Sequence, residues 1–189
     1  FGGVSPLNAL NREIIDNVDS ELKKRGHNLP VYFGNRNWHP FASETAEKMS
    51  QDGVRKVAVF ATSAWGGYSA CRQYDEDIQR MREHLAEQGL PDIEFTKIRQ
   101  FFDHPKFVAE MAAAVTEVWG QVPEEKKEST RMLFTAHSVP VAHDNVGGAE
   151  GDKNLYSRQV AEASRLVAAR AGISDYDLVW QSRSGNPRT

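Results

Sequence analysis

The chain has 189 residues, of which 40% are hydrophobic and 26% charged, and its formal net charge is -3. This balance is typical of a soluble globular protein with one large domain, or one domain and part of a second. The charge gives no general attraction to nucleic acid, and no apolar run approaches the ~20 residues of a membrane span. The single cysteine, Cys71, cannot form an internal disulfide, so a reducing cytoplasmic location is expected.

The first half of the chain alternates helical and extended patterns. Ser5 and Pro6 are typical of a helix start, apolar residues then recur at helical spacing as far as Leu22, and Gly26 is a plausible stop. The patterns that follow predict a strand over residues 30–33, a helix over about 40–51, a strand over 56–61, a helix over about 69–87 and a strand over 93–98.

The second half continues the alternation. Asp103 is expected to cap a helix with Pro105 near its start and with one buried apolar face, made of Phe107, Val108, Met111, Ala112, Val115 and Val118. A buried strand runs from Met132 to a histidine, His137, and a polar, glycine-rich loop is predicted over 142–152. A helix over about 155–171 and a strand over 176–181 complete an α/β pattern, which predicts a mainly parallel sheet with helices on both faces.

His137 is the main candidate for chemistry. It lies at the carboxyl end of a buried strand, which is the edge where open α/β sheets bind ligands, and Ser138 follows it. Histidine can act as a base or as a metal ligand near neutral pH. The alternative is a histidine that only hydrogen-bonds a loop. His143 could complete a metal pair, but a spacing of six residues suits no regular element.

Three further segments could contribute to a site. Gly2 and Gly3 precede the first helix, where backbone N–H groups can approach a carboxylate or phosphate, although an ordinary helix cap explains them equally. Trp65 and Tyr68, in the loop after the second strand, suit a flat, ring-shaped apolar ligand together with Trp38; half-buried core aromatics are the alternative. Residues 180–184 add polar groups at the end of the last strand.

These segments together resemble the ferrochelatases over essentially the whole chain. The resemblance rests on FGGVSPL (1–7), YFGNRNWHPF (32–41), CRQY (71–74), TAHSVP (135–140) and WQSRSG (180–185). Two further stretches, SAWGGYSACRQY and NLYSRQVA, resemble the actinobacterial branch, which is thought to metallate coproporphyrin III rather than protoporphyrin IX.

The resemblance implies a Rossmann-like (chelatase-like) three-layer αβα fold, two such domains with a porphyrin cleft between them, and insertion of Fe²⁺ without a redox cofactor. The family's active-site histidine corresponds to His137, as proton acceptor or metal ligand. Its porphyrin-carboxylate contacts correspond to Ser5 and Tyr74. Some actinobacterial relatives hold a [2Fe-2S] cluster, but residues 147–153 contain no cysteine, so no cluster is expected.

The chain is expected to be an internal fragment of a cytoplasmic, monomeric lyase of heme biosynthesis. Residues 1–152 would be most of the first domain without its first strand, and 153–189 the start of a truncated second domain, whose partner glutamate lies beyond Thr189. We therefore expect the chain alone to be inactive. A protoporphyrin IX ferrochelatase, a cobalt or sirohydrochlorin chelatase and a non-catalytic tetrapyrrole-binding module remain alternatives; a nucleotide-binding domain is disfavoured because no G-x-G-x-x-G occurs.

Overall fold

The structure, a computed structural model, describes residues 2–3, 5–148 and 151–182. Within these ranges, one or more helices precede each parallel strand along the chain. The helices are α1 (Leu7–Lys24), α2 (Ala42–Gln51), α3 (Gln73–Glu87), α4 (Pro105–Gly120), α5 (Glu124–Lys127), α6 (Val141–Asn145) and α7 (Leu155–Ala171), and a single π-helical turn (Tyr68–Arg72) precedes α3. The strands are β1 (Lys56–Val59), β2 (Glu94–Lys97), β3 (Met132–His137) and β4 (Tyr176–Gln181).

The described strands form two parallel pairs. β3 pairs with β4 in a register that runs from Met132 opposite Tyr176 to His137 opposite Gln181. β1 pairs with β2, and the bonds from Glu94 N to Arg55 O and from Ile98 N to Val59 O keep one constant offset, as parallel strands do. The α/β class with parallel strands is therefore confirmed, with the strands arranged as two small sheets.

The strand predicted over residues 30–33 is wrong. This segment forms no ladder, and the backbone carbonyl of Phe33 accepts a hydrogen bond from Thr45 Oγ1 at 2.8 Å instead. The side-chain hydroxyl of Tyr32 donates to Asp52 at 2.9 Å. Pro30 has no N–H to contribute. An isolated bridge between Asn35 and Phe41 follows in place of regular pairing.

Contacts divide the chain into two units. Unit 1 comprises residues up to 57 together with 77–95, and unit 2 comprises 58–76 together with 96 onward. The core of unit 1 consists of Ala46, Met49, Met81, Leu85 and Ile93, as the helical spacing of α2 and α3 predicts. Helix α1 forms where predicted and ends before Gly26, at φ +81°. Most of its apolar residues stay exposed, from 59% at Leu7 to 38% at Val18.

Unit 2 has its core where α4 and α7 pack against β3. Val108, Ala112 and Val167 are buried, with Phe134 packed against them. The predicted buried face of α4 was too wide: Met111 is 47% exposed and Val118 62%, since α7 packs only along the side that carries Val108 and Ala112. The predicted boundary between 152 and 153 stays a prediction.

Two further expectations for unit 2 need correction. The cap of α4 is His104 rather than Asp103, because His104 Nδ1 accepts the backbone N–H of Lys106 at 3.3 Å. The loop predicted over 142–152 begins with helix α6, which starts directly after Pro140, a residue suited to a helix entry. In the described part of the chain, no helix is long and apolar enough to cross a membrane.

Candidate functional site

His137 is the last residue of β3 and its side chain is exposed. Alternate residues of β3 face the core, so Met132, Phe134 and Ala136 are partly buried while Leu133, Thr135 and His137 are exposed. The Nδ1 atom of His137 lies 2.7 Å from the carbonyl oxygen of Ser138. A carbonyl oxygen only accepts hydrogen bonds, so Nδ1 carries the proton and the lone pair of the neutral imidazole is on Nε2. That lone pair can take a proton or bind a metal ion.

The ends of β3 and β4 are joined by hydrogen bonds. The N–H of Ser138 donates to the carbonyl of Gln181 at 2.8 Å, and its hydroxyl donates to the carbonyl of Ser182 at 2.9 Å. Ser182 has φ +59°, a left-handed conformation that costs energy in a residue with a side chain. His137-Ser138 of the TAHSVP motif and Gln181-Ser182 of the WQSRSG motif therefore lie side by side at one sheet edge. Residues 183–184 are outside the described residues.

Tyr156, in the first turn of α7, contacts this edge. Its hydroxyl donates a hydrogen bond to the backbone carbonyl of His137 at 3.1 Å, and its ring lies against Trp180 with centroids 5.9 Å apart. Burial, and then the negative charge of Asp144, raise the pKa of Tyr156. The phenol therefore remains protonated at neutral pH and can act as a donor.

Asp144, which precedes Tyr156 by twelve residues in the sequence, binds the first turn of α7. Its buried carboxylate accepts the backbone N–H groups of Tyr156 at 2.9 Å and Ser157 at 3.4 Å, and the hydroxyl of Ser157. The residue at the usual capping position, Asn154, is left-handed at φ +57° and makes no side-chain cap. Asp144 thus supplies the cap, and it also fixes the position of Tyr156.

The loop after β1 that carries Trp65 and Tyr68, called the aromatic loop, contacts α7 and the loop after His137. The N–H of Gly66 donates to Gln159 Oε1 in α7. Gly67, at φ +125°, touches Gly147 so closely that a Cβ on Gly147 would lie 2.6 Å from the Gly67 Cα. Only glycine permits this approach between the two loops. The loop before α3 and the loop after His137 are therefore held in contact.

The rings of this loop make different contacts from one another. Trp65 is partly buried and meets the ring of Phe107 edge-on, with centroids 6.0 Å apart. Tyr68 lies against the ring of His143, with centroids 5.4 Å apart. His143 is thus engaged with an aromatic ring, and no cluster of three or more His, Cys, Asp or Glu suited to a metal ion occurs among the residues that the structure describes.

Tyr74 lies in the first turn of α3 and is partly buried in unit 2. The turn before it carries Cys71, whose sulfur accepts hydrogen bonds from Gln100 Nε2 at 3.0 Å and from Lys97 Nζ at 3.3 Å. Lys97 also pairs with Asp75 at 2.5 Å. These contacts connect the π-helical turn and the start of α3 to the end of β2, and so fix the position of the helical turn that carries Tyr74.

Ser5 and Trp38 belong to unit 1. Ser5 is exposed, and its hydroxyl accepts the N–H of Leu7 at 3.3 Å. Since α1 begins at Leu7, Pro6 rather than Ser5 occupies the cap position, and Pro6 is not the first helical residue that the sequence predicted. Gly2 and Gly3 adopt positive φ angles of +61° and +83°. Trp38 is 66% exposed. That Trp38 and Trp65 share one sheet edge stays a prediction.

Sequence reasoning missed Tyr156, Asp144 and Gly147 as parts of the site. Asp144 and Tyr156 are brought together by the fold, and no short motif marks the pair. Gly147 had a signal, because it opens a Gly-Gly pair in a loop next to His137. Paired glycines in such a loop favour a close approach of two backbones.

Comparison with known proteins shows the family. The ferrochelatase family model matches residues 1–188. The chain is 59% identical to the coproporphyrin III ferrochelatase of Corynebacterium glutamicum, with all of the chain and 51% of the relative covered. It is 60% identical to that of Corynebacterium diphtheriae (98% and 52% covered) and 54% to that of Nocardia farcinica (100% and 53%).

The chain spans about half the length of these curated relatives. The family match nevertheless extends over every segment that contributes to the edge around His137, including both strand ends and the start of α7. On the strength of this match, the chain belongs to the ferrochelatase family.

Proposed function

We propose that the full-length protein, of the length of its curated relatives, inserts Fe²⁺ into coproporphyrin III to give coproheme in heme biosynthesis. The observation that carries this proposal is the exposed imidazole of His137, with its Nε2 lone pair available at the carboxyl edge of a parallel sheet. The porphyrin is chosen because the relatives named above are coproporphyrin III ferrochelatases.

His137 has the chemistry that porphyrin metallation needs. Insertion of Fe²⁺ requires the loss of two pyrrole protons and delivery of the cation to the ring centre. The Nε2 lone pair of a neutral imidazole can accept one of those protons or bind the incoming ion. We assign His137 as the proton acceptor or metal ligand on one face of the porphyrin.

Ser5 and Tyr74 are proposed to bind the carboxylates of the porphyrin. Ser5 is exposed at the start of α1, where a hydroxyl and backbone N–H groups can donate to an anion. Tyr74 offers a phenol in the first turn of α3. Trp38 and Trp65 are proposed to line the porphyrin site or to support its wall, because their flat faces suit a planar ring.

Fe²⁺ enters this scheme as a substrate. We propose that no [2Fe-2S] cluster is present, since residues 147–153 contain no cysteine and Cys71 is the only one in the chain. A cytoplasmic monomer, with a domain boundary between residues 152 and 153, completes the proposal. The single cysteine agrees with a reducing compartment.

The test is the His137→Ala substitution in the full-length protein. We expect coproheme formation to fall at least 100-fold, because positioned acid–base groups contribute about 10²–10⁴ in rate, while coproporphyrin III quenches tryptophan fluorescence with nearly unchanged affinity. His143→Ala is the matched control, since its ring contacts Tyr68 and it should keep most of the activity. Unchanged turnover in His137→Ala would remove His137 from the mechanism, and equal losses in both variants would favour a histidine pair.

The substrate is tested with a panel of acceptors. Coproporphyrin III, protoporphyrin IX and sirohydrochlorin are each incubated with Fe²⁺ and with Co²⁺, and product spectra are recorded. We expect coproporphyrin III with Fe²⁺ to react fastest. Faster reaction of protoporphyrin IX or of cobalt would replace the proposed substrate, and binding without turnover in every combination would favour a tetrapyrrole-binding module. Residues 1–189 alone serve as the negative control, for which we expect no turnover.

A further inference from the structure

We propose that Tyr156 is a positioning residue whose phenol holds the backbone of His137 so that the imidazole keeps its proton on Nδ1 and its lone pair on Nε2. The inference rests on the proposed role of His137. It starts from the hydrogen bond of the Tyr156 hydroxyl to the His137 carbonyl, 3.1 Å long, and from the bond between His137 Nδ1 and the Ser138 carbonyl.

One peptide unit connects these two hydrogen bonds. The peptide between His137 and Ser138 has its carbonyl bound by Tyr156 and its N–H bound to the carbonyl of Gln181 at 2.8 Å. With both polar groups bound, this peptide plane cannot rotate freely. The fixed plane sets the position of the Ser138 Cα, and the next carbonyl, of Ser138, extends from that atom to accept the Nδ1 proton. Loss of the phenol would free one side of the plane and loosen the acceptor that fixes the tautomer.

Tyr156 is itself rigidly placed. Its backbone N–H is bound by Asp144 at 2.9 Å, and its ring lies against Trp180. On another side, a Cβ added to Gly67 would lie 3.4 Å from the Tyr156 Cβ, so the aromatic loop packs directly against this residue. Burial raises the pKa of the phenol and keeps it a donor throughout the neutral range.

This role differs from simple structural support in what it changes. A tyrosine that only stabilised α7 would, when altered, lower the melting temperature and leave the protonation pattern of His137 unchanged. Loss of the phenol of a positioning tyrosine changes which ring nitrogen of His137 carries the proton. It also lowers kcat without affecting the affinity for the porphyrin, because the phenol contacts the backbone of His137.

The experiment compares Tyr156→Phe with the wild type in the full-length protein. We expect kcat for coproheme formation to fall about tenfold, as loss of one hydrogen bond predicts, with KM for coproporphyrin III unchanged. Histidines labelled with ¹⁵N are then examined by long-range ¹H–¹⁵N NMR, which identifies the protonated ring nitrogen, and His137→Ala assigns the signal. The wild type should show the Nδ1–H form, and Tyr156→Phe a mixture of both forms.

Tyr32→Phe is the matched control. It also removes one phenol hydrogen bond, to Asp52 at 2.9 Å in unit 1, and should alter neither kcat nor the tautomer of His137. Wild-type kcat or an unchanged tautomer in Tyr156→Phe would overturn the proposal, as would the Nε2–H form in the wild type, which needs no variant. If the wild type makes no coproheme, the proposed function fails, while the NMR signals still test whether Tyr156 sets the tautomer.

Discussion

Substitution of Gly147 by alanine is a direct test of the contact between the two loops near His137. The Cβ of alanine would lie 2.6 Å from the Cα of Gly67, 3.0 Å from its carbonyl carbon and 3.1 Å from the N of Tyr68. All three atoms belong to backbone, so no flexible side chain can move aside. One loop must shift by several tenths of an ångström.

The expected cost follows from overpacking. Extra atoms forced into a close contact typically cost about 1–3 kcal/mol, and we expect about 2 kcal/mol for Gly147→Ala. For a cooperative unit of about 150–250 residues, this cost lowers the melting temperature on the order of 5 °C. Since the displaced loop packs against Tyr156, coproheme formation should fall as well.

The assay is thermal unfolding of the full-length protein followed by tryptophan fluorescence. Gly120→Ala is the matched control: Gly120 is the last residue of α4, and a Cβ there meets no atom within 4 Å. Because alanine favours a helix over glycine by up to about 1 kcal/mol, this control should be neutral or stabilising. Equal melting temperatures for the two variants would show that the loops do not meet at Gly147.

Two further substitutions test the neighbouring elements. Asp144→Ala removes the cap of α7 and should cost about 1–2 kcal/mol, with faster hydrogen exchange at the N–H of Ser157; unchanged exchange would contradict the cap. Arg131→Met removes the hydrogen bond that lowers the pKa of Asp177 in the folded protein. This bond stabilises the fold above the unfolded-state pKa of about 4, and the stabilisation is lost as pH falls through the folded-state pKa. The gap in melting temperature between wild type and Arg131→Met should therefore shrink from pH 6 to pH 2, and a constant gap would refute this linkage.

Elements with local signals could be predicted from the sequence. Helix α7 ends before Gly172, at φ +72°, and its buried residues Val160, Ala163 and Val167 follow helical spacing, so its range agrees with the prediction. Strand β4 agrees in the same way. Termination by a left-handed glycine and apolar periodicity act within a few residues, so a single sequence reveals them.

Features that depend on distant residues could not be predicted. The cap of α7 comes from Asp144 in another helix, and the prediction of a strand at 30–33 failed because Thr45 takes the carbonyl of Phe33. The exposed side of α4 could not be foreseen either, since periodicity identifies apolar residues but not the width of the face that a neighbour covers. Met111 illustrates this limit.

The direction of the His137 side chain follows from the register of β3 against β4. Side chains alternate along a strand, so a slip by one residue would turn His137 toward the core and Ala136 outward. The register is held at both ends. At one end Arg131 pairs with Asp175 and Asp177, and at the other Ser138 donates to the carbonyl of Gln181. The ion pairs at Arg131, six residues from His137 in the chain, therefore help to hold the imidazole on the exposed face of β3.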